Sequence, residues 1–388
     1  MPSTKLTSSA LLTLLSVPFT CAYAQSNVLL YGLVDAGFVY TNNQGGGKLY
    51  SLTSGNLQSS RWGMRGSEDL GSGISAVFVL ENGFSVTNGR LLQGGDEFGR
   101  QAYVGLSSSR IGTLMLGRQY DLNVDYVAKF AAVAQWGTTY SAHPGDLDNF
   151  NNTNRVNNAI KFKSLDYSGF TFGALYSFGG NAGDFSRNQI WSVGANYQNG
   201  PFALAAAYVD VNDPNYSFFG NNASSSTNAS NMTGSRVYSG YASAKSQRIA
   251  SAGGALTLGA TTVGAVYSNT VFSSIGTDAR LPAVGRGGSA RFNNFEVNVK
   301  HQVTPALLIG AAYDFTDGYG VNDAKYNQVS LGIDYFLSKR TDLYLTGVYQ
   351  HASGRDSTGT QARANINGVS ASSTSNQVLA VAGIRHKF

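Results

Sequence analysis

The feature of this sequence that most constrains its fold is the alternation of apolar and polar residues in short segments along most of the chain. Between Pro305 and Phe315, for example, Leu307, Ile309 and Ala311 occupy every second position. Successive side chains of a β-strand point to opposite faces, so a period of two places one face in an apolar medium and the other in a polar one. Beyond the first residues, no apolar run approaches the about 18 residues that a membrane-spanning helix needs. The sequence therefore predicts an all-β protein.

The alternating segments predict sixteen strands, joined alternately by short turns and long polar loops. The predicted strands cover residues 28–41, 59–69, 74–86, 97–107, 111–120, 156–165, 169–178, 189–198, 201–211, 247–258, 261–272, 290–302, 306–315, 324–337, 341–351 and 375–388. The long loops include residues 121–155, 211–246, 273–289 and 352–373. The prolines after residue 24 fall in these turns and loops, with Pro201 where a turn meets the first residue of a strand, as expected because proline removes a hydrogen-bond donor from a sheet.

This arrangement is typical of a β-barrel in a bacterial outer membrane, where an even number of strands alternates between short turns and long loops. A sheet that crosses lipid must close on itself, because its backbone groups find no water there. We therefore predict a 16-stranded antiparallel transmembrane β-barrel over residues 25–388, with short periplasmic turns, long extracellular loops and a water-filled lumen. A soluble β-sandwich or a solenoid is the alternative, but the sequence lacks the internal repeat of a solenoid.

Residues 1–24 have the organisation of a secretory signal peptide. The positive charge of Lys5 is followed by the apolar stretch Leu11–Phe19 and by Ala22-Tyr23-Ala24, a pattern of small residues typical of a cleavage site. The alternative is a lipoprotein site at Cys21, the one cysteine of the chain. We predict that the segment is removed during export, and that the remaining chain has no disulfide and no thiolate chemistry.

The charge balance and the histidines argue against nucleic-acid binding and against a metal or catalytic site. The chain has 27 lysines and arginines against 22 acidic residues, and the small excess is scattered along the sequence. His143, His301, His351 and His386 show no metal-ligand spacing, and no nucleophile motif occurs. We therefore predict no enzymatic activity, no catalytic residues, no metal and no cofactor.

The predicted loop at residues 121–155 is unusually apolar for a segment exposed to water. Val124, Val127, Ala128 and Ala131 follow one another at nearly helical spacing. Such residues are expected where a loop packs against the inner wall of a barrel, and loops of this length are usually functional. We predict that the loop folds into the lumen and narrows it. The alternative is a lid that rests on the mouth of the barrel.

Four arginines lie beside this loop or on the strands before it: Arg61, Arg100, Arg118 and Arg155. Alternation with apolar neighbours places Arg61 in the lumen. Arg100 is turned inward because a charged side chain that faces lipid costs about 2–4 kcal/mol at mid-membrane. We expect the four to form a charged ring around the pore. The alternative is that each lines a polar wall and pairs locally with an acid such as Glu81.

Six short motifs follow one another along the chain: Leu30–Gly37, Ser60–Leu70, Leu80–Phe84, Phe98–Leu106, Leu116–Asp121 and Gly383–Phe388. Their order and spacing resemble those of the Gram-negative general porins, specifically the trimeric porins of β-proteobacteria. The resemblance implies a sixteen-stranded barrel, a homotrimer and a third loop that folds inward to narrow the pore. It also implies that Arg61, Arg100 and Arg155 form a basic cluster facing that loop, with Glu81 as a nearby counter-charge.

Two carboxylates of the long loop, Asp146 and Asp148, have three possible interpretations. They lie beside Asn149, Asn151 and Asn152, which favours a simple solvated loop over acid–base catalysis by the pair. The porin resemblance adds a third interpretation. The acidic Pro-Glu-Phe-Gly-Gly loop motif of enterobacterial porins is absent here, and the two aspartates are its best substitutes on the acidic side of the constriction.

Together these features predict a passive outer-membrane diffusion channel for ions and small hydrophilic solutes. The basic excess and the sparse loop acids predict a modest preference for anions, since rings of basic side chains favour anions. A substrate-specific channel, and a surface adhesin or structural barrel with a closed pore, are the alternatives. The expected partners are copies of the same chain, outer-membrane lipid or lipopolysaccharide, and the permeating solutes and inorganic ions. The stretch Gly220–Gly234, rich in Asn and Ser, is predicted to be a variable solvated loop rather than a binding surface.

Overall fold

The computed structural model describes residues 27–220 and 230–388. The proposed signal peptide at residues 1–24 and most of the stretch Gly220–Gly234 lie outside these described residues. Within them, seventeen strands form one antiparallel sheet that closes on itself.

The strands follow one another around the barrel in chain order. They are β1 (Asn27–Gln44), β2 (Gly47–Ser54), β3 (Arg61–Gly71), β4 (Ile74–Gly83), β5 (Gln101–Ser108), β6 (Gly112–Gln119), β7 (Val156–Ser164), β8 (Phe170–Ser177), β9 (Ile190–Asn199), β10 (Phe202–Asn212), β11 (Ser246–Leu258), β12 (Thr261–Ser273), β13 (Ala290–Thr304), β14 (Leu307–Gly320), β15 (Lys325–Phe336), β16 (Thr341–Ser353) and β17 (Asn376–Lys387). At the seam, β17 pairs with β1 in a register that joins Lys387 to Leu33 and Leu379 to Thr41. This pairing leaves the described sheet without a free edge.

β2 and β3 together make one strand of the barrel, so the wall has the sixteen strands that the sequence predicted. Both pair with β1, β2 beside residues 36–44 and β3 beside residues 27–33. Between them, residues 55–60 leave the sheet. The predicted second strand began at residue 59 and omitted β2, and this part of the prediction was wrong. Glycines on both sides of β2 are typical of loops and concealed the strand.

The outer face of the wall is apolar and the inner face is polar. Val297, Leu331 and Leu345 lie on the outer face and are 57%, 59% and 50% exposed. Glu296 and Asn298, the neighbours of Val297 along β13, lie on the inner face and are buried. In a membrane the outer side chains contact acyl chains. The alternation in the sequence therefore reflects the two media on the two sides of the wall.

The helices of the described chain are short turns in the loops. They lie at Gln93–Gly95, Asn123–Val127, Ala128–Phe130, Ala132–Gln135, Thr139–Ser141, Pro144–Asp146, Pro214–Ser217 and Ser239–Tyr241. In residues 27–220 and 230–388, no helix has the length and apolar character needed to cross a membrane.

Several long loops fold into the lumen, whereas the sequence predicted infolding only for residues 121–155. Tyr241 of the loop after β10, Ile275 of the loop after β12 and Ala364 of the loop after β16 join one buried apolar cluster. The inner wall contributes Phe272 and Phe292 to the same cluster. These loops occupy the lumen beside β12 and β13. The wall on the other side of the barrel, formed by β3 to β5, faces the cavity described next.

Candidate pore constriction

The segment between β6 and β7, residues 120–155 and here named the constriction loop, lies inside the barrel. Leu122, Tyr126 and Val127 of the loop are buried in a cluster with Ala205 and Ala207 of the wall. The small alanine side chains of the inner wall leave room for the apolar face of the loop. The near-helical spacing in the sequence corresponds to the short helical turns from residue 123 to residue 135.

A cavity of about 440 Å³ separates the constriction loop from the wall. The wall contributes Arg61, Glu81 and Arg100 to its lining. The loop contributes residues between Tyr120 and Arg155, and a third side is formed by residues 55–59. The structure therefore brings together the loop and most of the basic residues that the sequence singled out.

Glu81 is the centre of the basic cluster on the wall. It is buried, and its carboxylate accepts a hydrogen bond from Nε of Arg100 at 2.7 Å. Nε of Arg61 lies 3.8 Å from the other carboxylate oxygen. The hydroxyl groups of Tyr31 and Tyr120 also donate to Glu81, at 3.1 and 3.0 Å. These donors hold the carboxylate in place and orient the two guanidinium groups around it.

Arg155 completes the cluster from the end of the constriction loop. Its guanidinium lies 5.8 Å from the centre of the Tyr120 ring and donates to the carbonyl oxygen of Thr153 at 2.8 Å. Burial, together with the like charge of Arg100, lowers the pKa of Arg155 to about 9. The side chain therefore remains a cation at neutral pH.

Lys129 adds a basic residue that the sequence analysis did not select. It lies on the constriction loop and lines the same cavity. Its ammonium group donates to Asn196 of β9 and lies 5.1 Å from the ring of Phe130. A lone lysine between Ala128 and Phe130, in an otherwise apolar segment, was the available signal in the sequence. With Lys129, the described lining holds four cations and one carboxylate.

Arg118 lies outside the cluster, so the predicted ring of four arginines does not include it. Its Nε donates to the carbonyl oxygen of Gly99 at 2.8 Å, and its Nη2 lies 3.8 Å from the carboxylate of Asp96. It also donates to the side chain of Asn157. The pairing of β6 with β7 shifts by a residue beside Arg118, and the side chain follows the loop between β4 and β5 rather than the cavity. Within the described residues, Arg118 does not line the cavity.

Asp146 and Asp148 do not face the cavity as predicted. Both are buried, within the constriction loop or where the loop contacts the wall. The Asp146 carboxylate accepts hydrogen bonds from the backbone N–H groups of Asn151 and Thr153, at 2.9 and 3.1 Å. Burial and the charge of Asp148 raise the pKa of Asp146 to about 7. Asp148 accepts from the hydroxyl of Ser268 on β12 at 2.7 Å. Neither aspartate belongs to the described lining of the cavity, so they are not the acidic side of the constriction.

His143 fastens the constriction loop to the wall through three carboxylates. Its Nδ1 lies 2.6 Å from Asp148 of the loop, and its Nε2 lies 3.0 Å from Glu296 of β13 and 3.9 Å from Asp314 of β14. The carboxylates raise the pKa of His143 well above its usual value, although burial opposes this shift. The charged imidazolium also lowers the pKa of Asp148. Sequence spacing gave no signal for this cluster, because its members come from three distant segments.

Trp136 provides a second attachment, to a pair of glycines on the wall. Gly310 of β14 and Gly332 of β15 are directly opposite each other in the sheet. A Cβ atom at either position would overlap atoms of the Trp136 ring. The glycines therefore form a flat socket that larger residues would fill. The indole is 3% exposed, so the contact buries nearly the whole side chain.

The fold and the cavity define a class of protein: a membrane β-barrel channel whose lumen is narrowed by an inward loop. Comparison with known proteins agrees with this class. The sequence matches the family described as Gram-negative porin over residues 8–356. The chain therefore belongs to the Gram-negative porins. It is an outer-membrane protein that forms a passive diffusion channel.

Individual relatives cover nearly the whole chain. It is 30% identical to an outer membrane porin protein of Bordetella pertussis, over 84% of this chain and 90% of the relative. It is 27% identical to outer membrane porin protein 32 of Delftia acidovorans, over 95% of each chain. A solved structure, an anion-selective porin from Comamonas acidovorans, has a TM-score of 0.72 at 22% identity and covers 94% of this chain and 100% of its own.

Proposed function

We propose that the cavity between β3–β5 and the constriction loop is the narrowest part of the pathway and that it makes the channel prefer anions. The observation that carries this proposal is the charge of the lining, in which Arg61, Arg100, Arg155 and Lys129 outnumber Glu81. Rings of basic side chains favour anions in pores. The name of the Comamonas acidovorans porin, which is anion-selective, supports the proposal.

The charges act on a permeating ion through water. A unit charge about 4 Å from an ion in water contributes about 1 kcal/mol, which is about a fivefold change in local concentration. Glu81 offsets part of the charge of Arg61 and Arg100, so Arg155 and Lys129 supply most of the net positive potential. The loop side of the cavity thus carries two cations where loop carboxylates were expected. Anions are attracted from both sides, and salt weakens the effect.

The surroundings of the channel complete the proposal. A homotrimer is supported by the porin relatives and by the similarity to a trimer form of OmpT of Vibrio cholerae, with a TM-score of 0.63 at 15% identity. Residues 1–24 act as the signal peptide, and residues 25–388 are the barrel domain. Lipid and lipopolysaccharide contact the outer face, and small hydrophilic solutes and inorganic ions pass through the lumen. The protein acts as a channel rather than as an enzyme.

The test is the zero-current potential of the purified protein in a planar bilayer that separates two salt concentrations. We expect a potential on the anion side for the native protein. In the double variant Arg61→Ala and Arg155→Ala, the anion-to-cation permeability ratio should fall by about fivefold or more. Arg110→Ala, in the turn between β5 and β6, serves as the control, because it also removes an arginine charge. Unchanged selectivity in the double variant would exclude the basic cluster as the source of the preference.

A further inference from the structure

Residues 55–60, here named the inner segment, interrupt one strand of the barrel beside the cavity. β2 ends at Ser54 and β3 begins at Arg61, and both pair with β1. The chain between them leaves the sheet, and residues 55–59 form one side of the cavity. A continuous strand would have satisfied the same backbone groups by ladder pairing. The departure from the sheet therefore needs other partners for its N–H groups.

Asp35 of β1 supplies those partners. Its carboxylate accepts hydrogen bonds from the backbone N–H groups of Asn56, Leu57 and Gln58, at 3.1, 2.9 and 2.9 Å. The hydroxyl of Tyr344 on β16 donates to the same carboxylate at 2.6 Å. Asp35 has no exposed surface. A buried carboxylate with four donors is a strong and directional anchor, because hydrogen bonds to a charged acceptor are stronger than neutral ones.

Two glycines provide the space for this path. A Cβ atom at Gly37 would lie 2.8 Å from the amide nitrogen of Asn56 and 3.0 Å from the hydroxyl oxygen of Tyr344. Gly55 has a φ of +76°, and a Cβ there would lie 2.8 Å from Cα of Ser59. The left-handed backbone at Gly55 starts the departure from the sheet, where a side chain would be strained.

The inner segment also touches the constriction loop. The backbone N–H of Thr139 donates to the carbonyl oxygen of Asn56 at 2.7 Å, and the hydroxyl of Tyr140 donates to the Asn56 side chain at 2.9 Å. Leu57 is buried in one apolar cluster with Tyr140 and with Ile366 of the loop after β16. The two segments therefore support each other where they meet.

We propose that the inner segment is a second rim of the constriction, that Asp35 is its positioning residue, and that Gln58 helps to determine which ions pass. This rests on the proposed function, because it assumes that the cavity is the narrowest part of the pathway. The opening is then a ring closed by two segments of the chain rather than a single loop facing a flat wall. Gln58 lines the cavity and adds no charge of its own.

The direct test is a charge at position 58. Gln58→Glu should reduce the anion-to-cation permeability ratio by at least about fivefold, because one negative charge a few ångströms from an ion in water lowers the concentration of anions and raises that of cations. Gln44→Glu makes the same change at the hairpin between β1 and β2, outside the described lining of the cavity, and should leave the ratio unchanged. An unchanged ratio in Gln58→Glu would overturn the proposal. Equal shifts in both variants would also overturn it, because the effect would then be one of overall charge.

The positioning role of Asp35 is tested by size exclusion in the same bilayers. Asp35→Asn removes the charged acceptor of the three N–H groups and should raise the conductance and admit larger uncharged polymers. Asp342→Asn is the control, since Asp342 is a buried carboxylate that accepts hydrogen bonds from Arg385 rather than from the backbone of the inner segment. An unchanged polymer limit in Asp35→Asn would refute the positioning role. Should that variant fail to fold, Gln58→Glu still decides the proposal.

The two proposals fail in different ways. If the Arg61→Ala and Arg155→Ala variant loses selectivity while Gln58→Glu does not, the basic cluster stands and the second rim is wrong. If neither variant changes selectivity, the cavity is not the narrowest part of the pathway and both proposals fall.

Discussion

At the scale of residues, Asp146 and Asp148 differ although they are two positions apart. The pKa of Asp146 is raised to about 7, since its carboxylate is buried beside another negative charge. The pKa of Asp148 is lowered, because His143 and Ser268 stabilise its charged form. A sequence shows that both are acids in a polar loop and does not show which one has a cation beside it. The same limit applies to Arg118, whose partners were fixed by a local shift in strand pairing.

The raised pKa of Asp146 leads to a prediction for Asp146→Asn. A folded pKa of about 7, above the unfolded value near 3.9, means that ionisation of Asp146 destabilises the loop as the pH rises from about 4 to 7. The amide removes this cost, which at pH 8 exceeds the cost of losing one of the two acceptor oxygens that face Asn151 and Thr153. Asparagine also tolerates the positive φ of 48° at this position. At pH 8 we expect slower cleavage of the constriction loop by proteinase K, and an unchanged zero-current potential. A shift of that potential would show that Asp146 does act on ions in the pore.

Residue-scale prediction worked best where alternation decides orientation. Arg61 was placed inward by its position in a strand, and it does line the cavity. Alternation was ambiguous for Arg100, because Ala102 and Val104 share its face in the predicted strand, and the cost of a charge in lipid gave the inward orientation instead. Lys129 lies in a loop, where neither argument operates. Its position follows from how the constriction loop packs.

At the scale of elements, the constriction loop is held at several separate places. His143 binds it to β13 and β14, Trp136 to the glycines of β14 and β15, and Thr139 and Tyr140 to the inner segment. The apolar spacing in the sequence showed that the loop would be buried. It did not show the attachment points, because each depends on residues from strands or segments far along the chain. β2 was missed for a related reason: its identity as a strand depends on pairing with β1.

From the contacts of His143 we predict that the constriction loop is most stable in mildly acidic solution. A raised folded pKa means that the stabilisation from His143 is complete below its unfolded pKa near 6.5 and is lost as the pH rises through the folded value. The lowered pKa of Asp148 makes its contribution complete above its unfolded value near 3.9 and lost below that pH. Ionisation of Asp146 also destabilises the loop as the pH rises from about 4 to 7, so we expect the fewest transient closures of the current near pH 4 to 5, and more closures as the pH increases.

His143→Gln provides the matched variant for this prediction. It keeps hydrogen-bonding groups but removes the cation that faces Asp148, Glu296 and Asp314. Breaking a buried ion pair by removal of one partner costs about 3–5 kcal/mol. The variant should close often at every pH from 5 to 9. If its closures still increase above about pH 8, where Asp146 is ionised, as they do in the native protein, His143 is not the group that titrates there.

At the scale of the whole molecule, the closed barrel was the most predictable feature. The outer face must be apolar and the backbone must be fully paired in lipid, so period-two segments of even number leave few other solutions. The filling of the lumen was less predictable. The loops after β10, β12 and β16 fold inward through residues such as Tyr241, Ile275 and Ala364, which are too few and too scattered to show a period.

Phe388 contacts Gly32 of β1 at the seam between β1 and β17, and this contact should stabilise the closed barrel. The backbone groups of Phe388 and Gly32 exchange two hydrogen bonds, of 3.0 and 3.1 Å, and the Phe388 ring occupies the space that a Cβ at Gly32 would need. Phe388→Ala should keep the backbone pair and lose the ring contact. Because the ring is 49% exposed, the expected cost is about 1 kcal/mol, less than for a fully buried phenylalanine. Leu337→Ala, an exposed apolar side chain in the turn between β15 and β16, is the control away from the seam. The measurement is the temperature at which the folded band disappears on a detergent gel. Equal temperatures for the two variants would mean that the ring does not strengthen the closure of the barrel.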